Sequence, residues 1–240
     1  MLWFAANYFY NYGLLYATIT SSVVLSNTSP IWVYVLSLMC CLPSSVREDF
    51  SWIKFVMILV SLAGFGLIAQ QDEETSQSEK PVIGDILSIV SAICYAFYAV
   101  YLKVKVPDES NFKFTYFLGF VGLINDVLLL PLFLLFNWTG LEVFEWPNSK
   151  TLLILTINAF FGTFVSDYCW ARSVVLLGPL ITTLGITLTF PISYLYDLKV
   201  KDGTFTAIYF LGSFFIFLAF FVVVLKDYMD GLRKDKEKRR

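Results

Sequence analysis

The first charged side chain of this 240-residue chain is Arg47. A charge-free stretch of that length does not suit a soluble surface, where about a quarter of residues are charged. It is long enough to cross a bilayer twice, because a spanning helix needs about 20 mostly apolar residues. The pattern persists along the chain, with 58% apolar, 18% aromatic and only 15% charged residues. Backbone groups in hydrocarbon must find partners within their own segment, so such runs fold as helices. The expected fold class is an all-α polytopic membrane protein. About eight transmembrane helices can be drawn, near 2–18, 20–42, 52–70, 84–103, 114–136, 152–171, 174–196 and 205–226.

The charges report orientation. With the tail after residue 226 in the cytosol, alternation places 13 of the 17 basic residues on that side and Lys80, Lys150, Lys199 and Lys201 on the other. That asymmetry follows the positive-inside rule. It puts the sequon Asn137-Trp138-Thr139 on the non-cytosolic side, close to the membrane. The net charge of -2 says little about partners, because the signs are sorted along the chain. The first span is not a signal peptide, since no basic residue precedes it and Asn7 and Asn11 interrupt it. Cys40, Cys41, Cys94 and Cys169 lie in apolar segments and read as small buried hydrophobes. There is no histidine, and the cysteines lack ligating neighbours, so no metal and no cofactor are expected.

One apolar run carries unusual polarity. ITSSVVLSNTSPI at 19–31 holds six Ser or Thr residues among its thirteen, plus Asn27 and Pro30. The stretch LITTLGITLTFPI at 180–192 repeats its spacing. Ser22 aligns with Thr183, Ser26 with Thr187, Thr28 with Thr189 and Pro30 with Pro191, each pair 161 positions apart. Asn7-Tyr8 and Tyr10 fall on Asp167-Tyr168 and Trp170 with one gap, and Phe50, Ile53 and Phe55 fall on Phe205, Ile208 and Phe210. Spans 1–3 therefore look like spans 6–8. Equivalent spans are five crossings apart, so the copies face opposite ways. Inverted repeats mark secondary transporters, whose substrate site lies at the repeat interface near the midplane. Residues 1–72 would be the last three helices of one repeat and 84–226 a complete five-helix repeat, joined by an acidic linker at 73–83 and followed by a basic tail at 227–240. A complete pair would have ten spans, so the chain is expected to lack the first two.

Pro30 and Pro191 each remove a backbone donor and should kink their helices. The hydroxyls around them have two readings. They service the kink, or, with Asn27, they line a solvated cavity. Other polar side chains within spans extend the candidate pathway. Span 4 contributes Ser91, Tyr95 and Tyr98, and span 5 contributes Asn125 and Asp126 on the face of Gly119 and Gly122. Span 6 contributes Asn158 and Asp167. The full expected set also contains Asn7, Asn11, Ser22, Thr183 and Thr187. Intramembrane carboxylates are costly and usually mark pathways, although each aspartate could simply pin two helices together.

The quoted motifs resemble a known family. WFAANYFY at 3–10, LSNTSPIW at 25–32, GDILSIVSAICYAFYAVYLK at 84–103, GFVGLIND at 119–126, NAFFGTFVSDYCW at 158–170 and TLGITLTFPIS at 183–193 are similar to EamA-type drug/metabolite transporters. The closest resemblance is to solute carrier family 35, subfamily F. It implies a ten-helix carrier, lacking two helices here, that moves a small organic solute; related carriers move nucleotide-sugars or are linked to thiamine. Three classes follow. A carrier explains the repeat and the absence of a catalytic set. A non-transporting isoform that binds full-length carriers is the alternative. An intramembrane protease using Asp126 and Asp167 leaves the repeat unexplained, so no enzyme is expected. The expected partners are a small-molecule solute, the lipid bilayer, a second copy of the chain, and coat proteins, with no nucleic acid. The coat proteins would read Lys236 and Lys238, which resemble a dilysine retrieval signal and favour endomembranes.

Overall fold

The computed structural model describes residues 2–17, 19–39, 43, 49–69, 81–106, 113–140, 146–193 and 207–238. In order the elements are α1 (Leu2–Leu14), α2 (Ile19–Ser26), α3 (Ser29–Ser37), α4 (Trp52–Ala69), α5 (Pro81–Lys105), α6 (Phe114–Thr139), α7 (Ser149–Ile157), a π-helix (Asn158–Val165), α8 (Ser166–Leu177), α9 (Pro179–Thr187) and α10 (Ala207–Lys238). No strand occurs among the described residues. The helices Trp52–Ala69, Val82–Lys105, Phe114–Thr139, Ser149–Leu177 and Ala207–Arg233 are each long and apolar enough to cross a membrane. The other drawn spans are shorter or broken: α1, the pair α2–α3, and α9 with its continuation to Ser193. Cys40, Cys41 and most of the acidic linker lie outside the described residues. The basic tail is helical, because α10 runs on to Lys238.

The two breaks are built alike. Pro30 cannot donate to the carbonyl four residues back, and the helix turns at Asn27 and Thr28 before α3 begins. There Ser26 Oγ donates to the Val23 carbonyl at 3.0 Å and Thr28 Oγ1 to that of Leu25 at 2.7 Å. In α9 the turn falls at Leu188, three residues before Pro191. Thr187 Oγ1 donates to the Leu184 carbonyl at 2.7 Å and Thr189 Oγ1 to that of Ile186 at 2.7 Å. Donors and acceptors in the two breaks correspond one to one at the spacing of the aligned hydroxyls. These bonds go to carbonyls in the turns before each proline, and Val23 and Leu25 accept a backbone N–H as well, at 3.1 Å each.

The most extensive helix pair is α4 with α10. It crosses at glycines: a Cβ on Gly64 would stand 2.6 Å from the Gly212 carbonyl oxygen, and one on Gly212 would stand 2.6 Å from that of Gly64. Small residues let membrane helices approach closely. Lys54 of α4 is buried and donates to Asp227 of α10 at 2.8 Å. A second tight pair joins α1 to α5, where a Cβ on Gly13 would stand 3.0 Å from Ser88 Oγ and 3.1 Å from the Gly84 carbonyl oxygen. Tyr34, in the core of α3, ties the start of α4 by accepting from Ser51 N–H at 2.7 Å and donating to its carbonyl at 3.1 Å.

The other half is more open. The most apolar windows of α6 and of Ser149–Leu177 bury no residue, and α6 leans on α8. Cys169, expected to be buried, is exposed on α8, and Cys94 is only partly covered. The reason is the same: no helix among the described residues covers that side. Lys103 of α5 donates to the Val175 carbonyl in the last turn of α8, a favourable place for a cation.

Candidate functional site

A cavity of about 250 Å³ opens where both copies meet. Ala6, Asn7 and Tyr10 of α1 line it, with Ser26, Asn27 and Ser29 from the α2–α3 break. Ser91, Ala92 and Tyr95 of α5 and Thr183 and Ile186 of α9 complete it. The lining residues of α1, α5 and α9 lie toward the middle of their helices. Helix periodicity accounts for the sets: Asn7 and Tyr10 are three apart, as are Thr183 and Ile186, while Ser91 and Tyr95 are four apart, so each pair shares a face.

Behind Tyr95 the wall is aromatic. Trp170 of α8 stacks on Tyr98 with ring centroids 5.1 Å apart and planes 14° apart, and its ring lies 5.2 Å from that of Tyr95. Trp170 Nε1 is buried and donates to no partner among the described residues. Asp167, one turn before Trp170, lies near Trp3, Tyr95 and Tyr98. Asn7 donates to the Trp3 carbonyl at 2.9 Å, so a chain of contacts runs from Asn7 through Trp3 to Asp167.

The expected set thus divides. Asn7, Asn27, Ser91, Tyr95 and Thr183 line the cavity, and Tyr98 and Asp167 lie one layer behind it. Thr187 is buried at the second kink, and Ser22 is fully buried with its hydroxyl unpaired. Asn11 is exposed and donates to the Asn7 carbonyl at 2.8 Å. Asn125 is turned back to the Val121 carbonyl at 2.9 Å, Asp126 is exposed on α6, and Asn158 is exposed on the π-helix. None of these last four lines the cavity: Asn11 is on an exposed face of α1, and around the other three α6 and the π-helix bury little against the rest of the described residues. Tyr10, Ser26 and Ser29 line the cavity but were absent from the expected set. Tyr10 could have been found from its three-residue spacing to Asn7.

A helical chain with membrane-length spans and a polar cavity walled by α1–α3, α5 and α9 has the architecture of a multi-pass membrane protein. The comparisons agree. The family model described as solute carrier family 35 matches residues 1–227. "Solute carrier family 35 member F5" of Bos taurus is 35% identical over 93% of this chain and 42% of its own length. "Thiamine-repressible mitochondrial transport protein THI74" of Saccharomyces cerevisiae is 32% identical over 93% of this chain and 60% of its own. "Uncharacterized vacuolar membrane protein YML018C" of the same yeast is 31% identical over 93% and 59%. A crystal structure 15% identical to this chain superimposes with a TM-score of 0.67 over 91% of this chain and 73% of that one, which shows the fold. The chain belongs to solute carrier family 35, subfamily F. It spans about half the length of the curated relatives it matches.

Proposed function

We propose that the chain moves a small organic solute by alternating access, with the cavity as the solute site and residues 1–72 and 84–226 as the two rocking repeats. The observation that carries this is the cavity's position: it is walled by α1–α3 from one repeat and by α5 and α9 from the other. Sites between inverted repeats are where such carriers hold their cargo. A thermal-shift screen of metabolites on purified protein tests it. A cognate solute at about 100 times its Kd adds roughly 2.7 kcal/mol of stability, or about 5–10 °C in Tm for a chain of this size. Ser91→Trp, which fills the cavity, should abolish that shift. A hit whose shift survives Ser91→Trp places the site elsewhere.

Asp167 would be the coupling group. It is ionisable where the first repeat has neutral Asn7, and the two meet through Trp3. Asp167→Asn keeps an acceptor beside Trp3, so the fold should persist. In a reconstituted full-length carrier this variant should lose the dependence of uptake on a pH gradient. Unchanged uptake with an unchanged pH response would make Asp167 structural.

A cytosolic C-terminus and an endomembrane location belong to the same reading, supported by the asymmetry of the basic residues. Lys236 and Lys238 would act as a retrieval signal. Both fall within α10, about 200° apart around its axis, so a receptor that reads both must unwind the last turn. Lys236→Ser with Lys238→Ser should move the protein from early to later secretory membranes on imaging. An unmoved double mutant leaves only attraction to anionic headgroups.

A further inference from the structure

The cavity's hydrogen-bonding capacity is partly spent, and the way it is spent limits what can enter. Ser91 gives its hydroxyl proton to the Ala6 carbonyl at 2.7 Å, and Ser26 gives its own to Val23 at 3.0 Å. Thr183 donates to the Pro179 and Leu180 carbonyls at 2.9 and 3.0 Å. Asn7 and Asn27 each commit an amide N–H, to Trp3 at 2.9 Å and to Val23 at 2.8 Å. Four of these turn back to carbonyls three or four residues behind, as short polar side chains in apolar helices do, while Ser91 reaches across to α1. What remains facing a ligand is mixed: hydroxyl and amide lone pairs, the second N–H of Asn7 and of Asn27, and the hydroxyls of Tyr10, Ser29 and Tyr95.

No lining residue among those described carries a positive charge. Basic side chains are engaged away from the cavity, Lys54 with Asp227, Lys103 with the Val175 carbonyl and Lys226 with Asp230. The helix start at the cavity, that of α3, has Pro30 in its first turn, which removes a backbone donor. The acidic group behind the wall is the carboxyl of Asp167. Phosphate and carboxylate ligands are held by charge-assisted donors, Arg, Lys or clustered N–H groups. This wall has no such cation and sets a carboxyl behind two tyrosine rings instead.

We infer that the cavity holds an uncharged or cationic solute and refuses solutes bearing phosphate or carboxylate. The inference rests on the cavity being the solute site. Two thiol reagents of similar size and opposite charge test it without a known substrate. They are 2-(trimethylammonium)ethyl methanethiosulfonate and 2-sulfonatoethyl methanethiosulfonate. The protein is the full chain with its four cysteines replaced by serine and Asn27→Cys introduced, with Ser26→Cys as a second position in case the first does not fold. Rates are divided by those with a free thiol, which removes intrinsic reactivity. The cationic reagent should then react at least about tenfold faster than the anionic one, as a carboxylate roughly one side chain away in a medium of low polarity requires. Adding Asp167→Asn should narrow the ratio. A normalised ratio of one or below overturns the charge rule and leaves the solute site standing. If neither reagent reaches either cysteine in folded protein while both label it in detergent-unfolded protein, the cavity is closed to water and the solute site itself fails.

Discussion

Gly64→Leu is expected to lower the melting temperature of the purified protein by about 6–12 °C, an overpacking cost of roughly 3 kcal/mol converted at the entropy of a chain of this size. A Cβ there would stand 2.6 Å from the Gly212 carbonyl oxygen and 2.8 Å from Phe215 Cβ. The obstacle is backbone on the facing helix, so no rotamer change relieves it and α4 and α10 must part. Gly212→Leu should behave alike, since its Cβ would meet the Gly64 carbonyl oxygen at 2.6 Å and Ile68 Cγ1 at 2.8 Å. Gly66→Leu is the control on the same helix, because nothing lies within 4 Å of a Cβ built there. It should be neutral or stabilising, leucine being the better helix former by about 1 kcal/mol. Equal losses at Gly64 and Gly66 would show that the crossing does not depend on close approach.

Trp170→Ala should cost about 3 kcal/mol or more, read as a fall in Tm or a loss of monodisperse protein. Trp170 packs against two core clusters, one centred on Val33, Tyr34 and Leu184 and the other on Leu102, Val174 and Val175. Its removal empties the join between them and unstacks Tyr98. Trp170→Phe separates packing from polarity. The indole N–H has no partner to lose, so phenylalanine gives up volume and no hydrogen bond, and the cost should drop to about 1 kcal/mol. If Phe is as damaging as Ala, the indole nitrogen holds a partner after all.

The repeat was legible because it rests on side-chain chemistry of fixed spacing. Hydroxyls that bond back to a carbonyl three residues earlier sit a set distance before a proline, and that spacing occurs in both stretches. The cavity was legible where helices are regular: Asn7, Ser91, Tyr95 and Thr183 fall where 3.6-residue periodicity puts them. Polarity inside a span proved a weaker guide to position. Asp126 and Asn158 are as polar as Asn7, yet they sit on helices that bury little against the rest of the chain. Span 6 adds a geometric cause. Residues 158–165 are π-helical, and the wider turn shifts every later face relative to an α-helical count. Asn158, Gly162 and Ser166, which share a stripe at four-residue spacing, therefore need not face one neighbour. In the wider turn Asn158 Oδ1 occupies the space where a Cβ on Gly162 would be, 2.5 Å away. The glycine crossing was not legible, because small residues in apolar segments are common and only three-dimensional pairing distinguishes Gly64 from Gly66.

The matched breaks at Asn27–Thr28 and Leu188 have an energetic corollary. In the alternating-access cycle proposed above, two inverted flexures with corresponding hydroxyl donors and carbonyl acceptors would cost nearly the same to bend. Bending toward one face uses one of them, and bending toward the other uses its twin. The joints themselves then favour neither opening, and the resting balance sits near even, where a ligand with modest differential affinity can tip it. Any bias toward one face has to come from positions at which the copies differ. Asn27 stands where the second copy has Leu188, and Asn7 where it has Asp167. Exchanging residues at those two sites would tilt the balance while leaving both flexures intact.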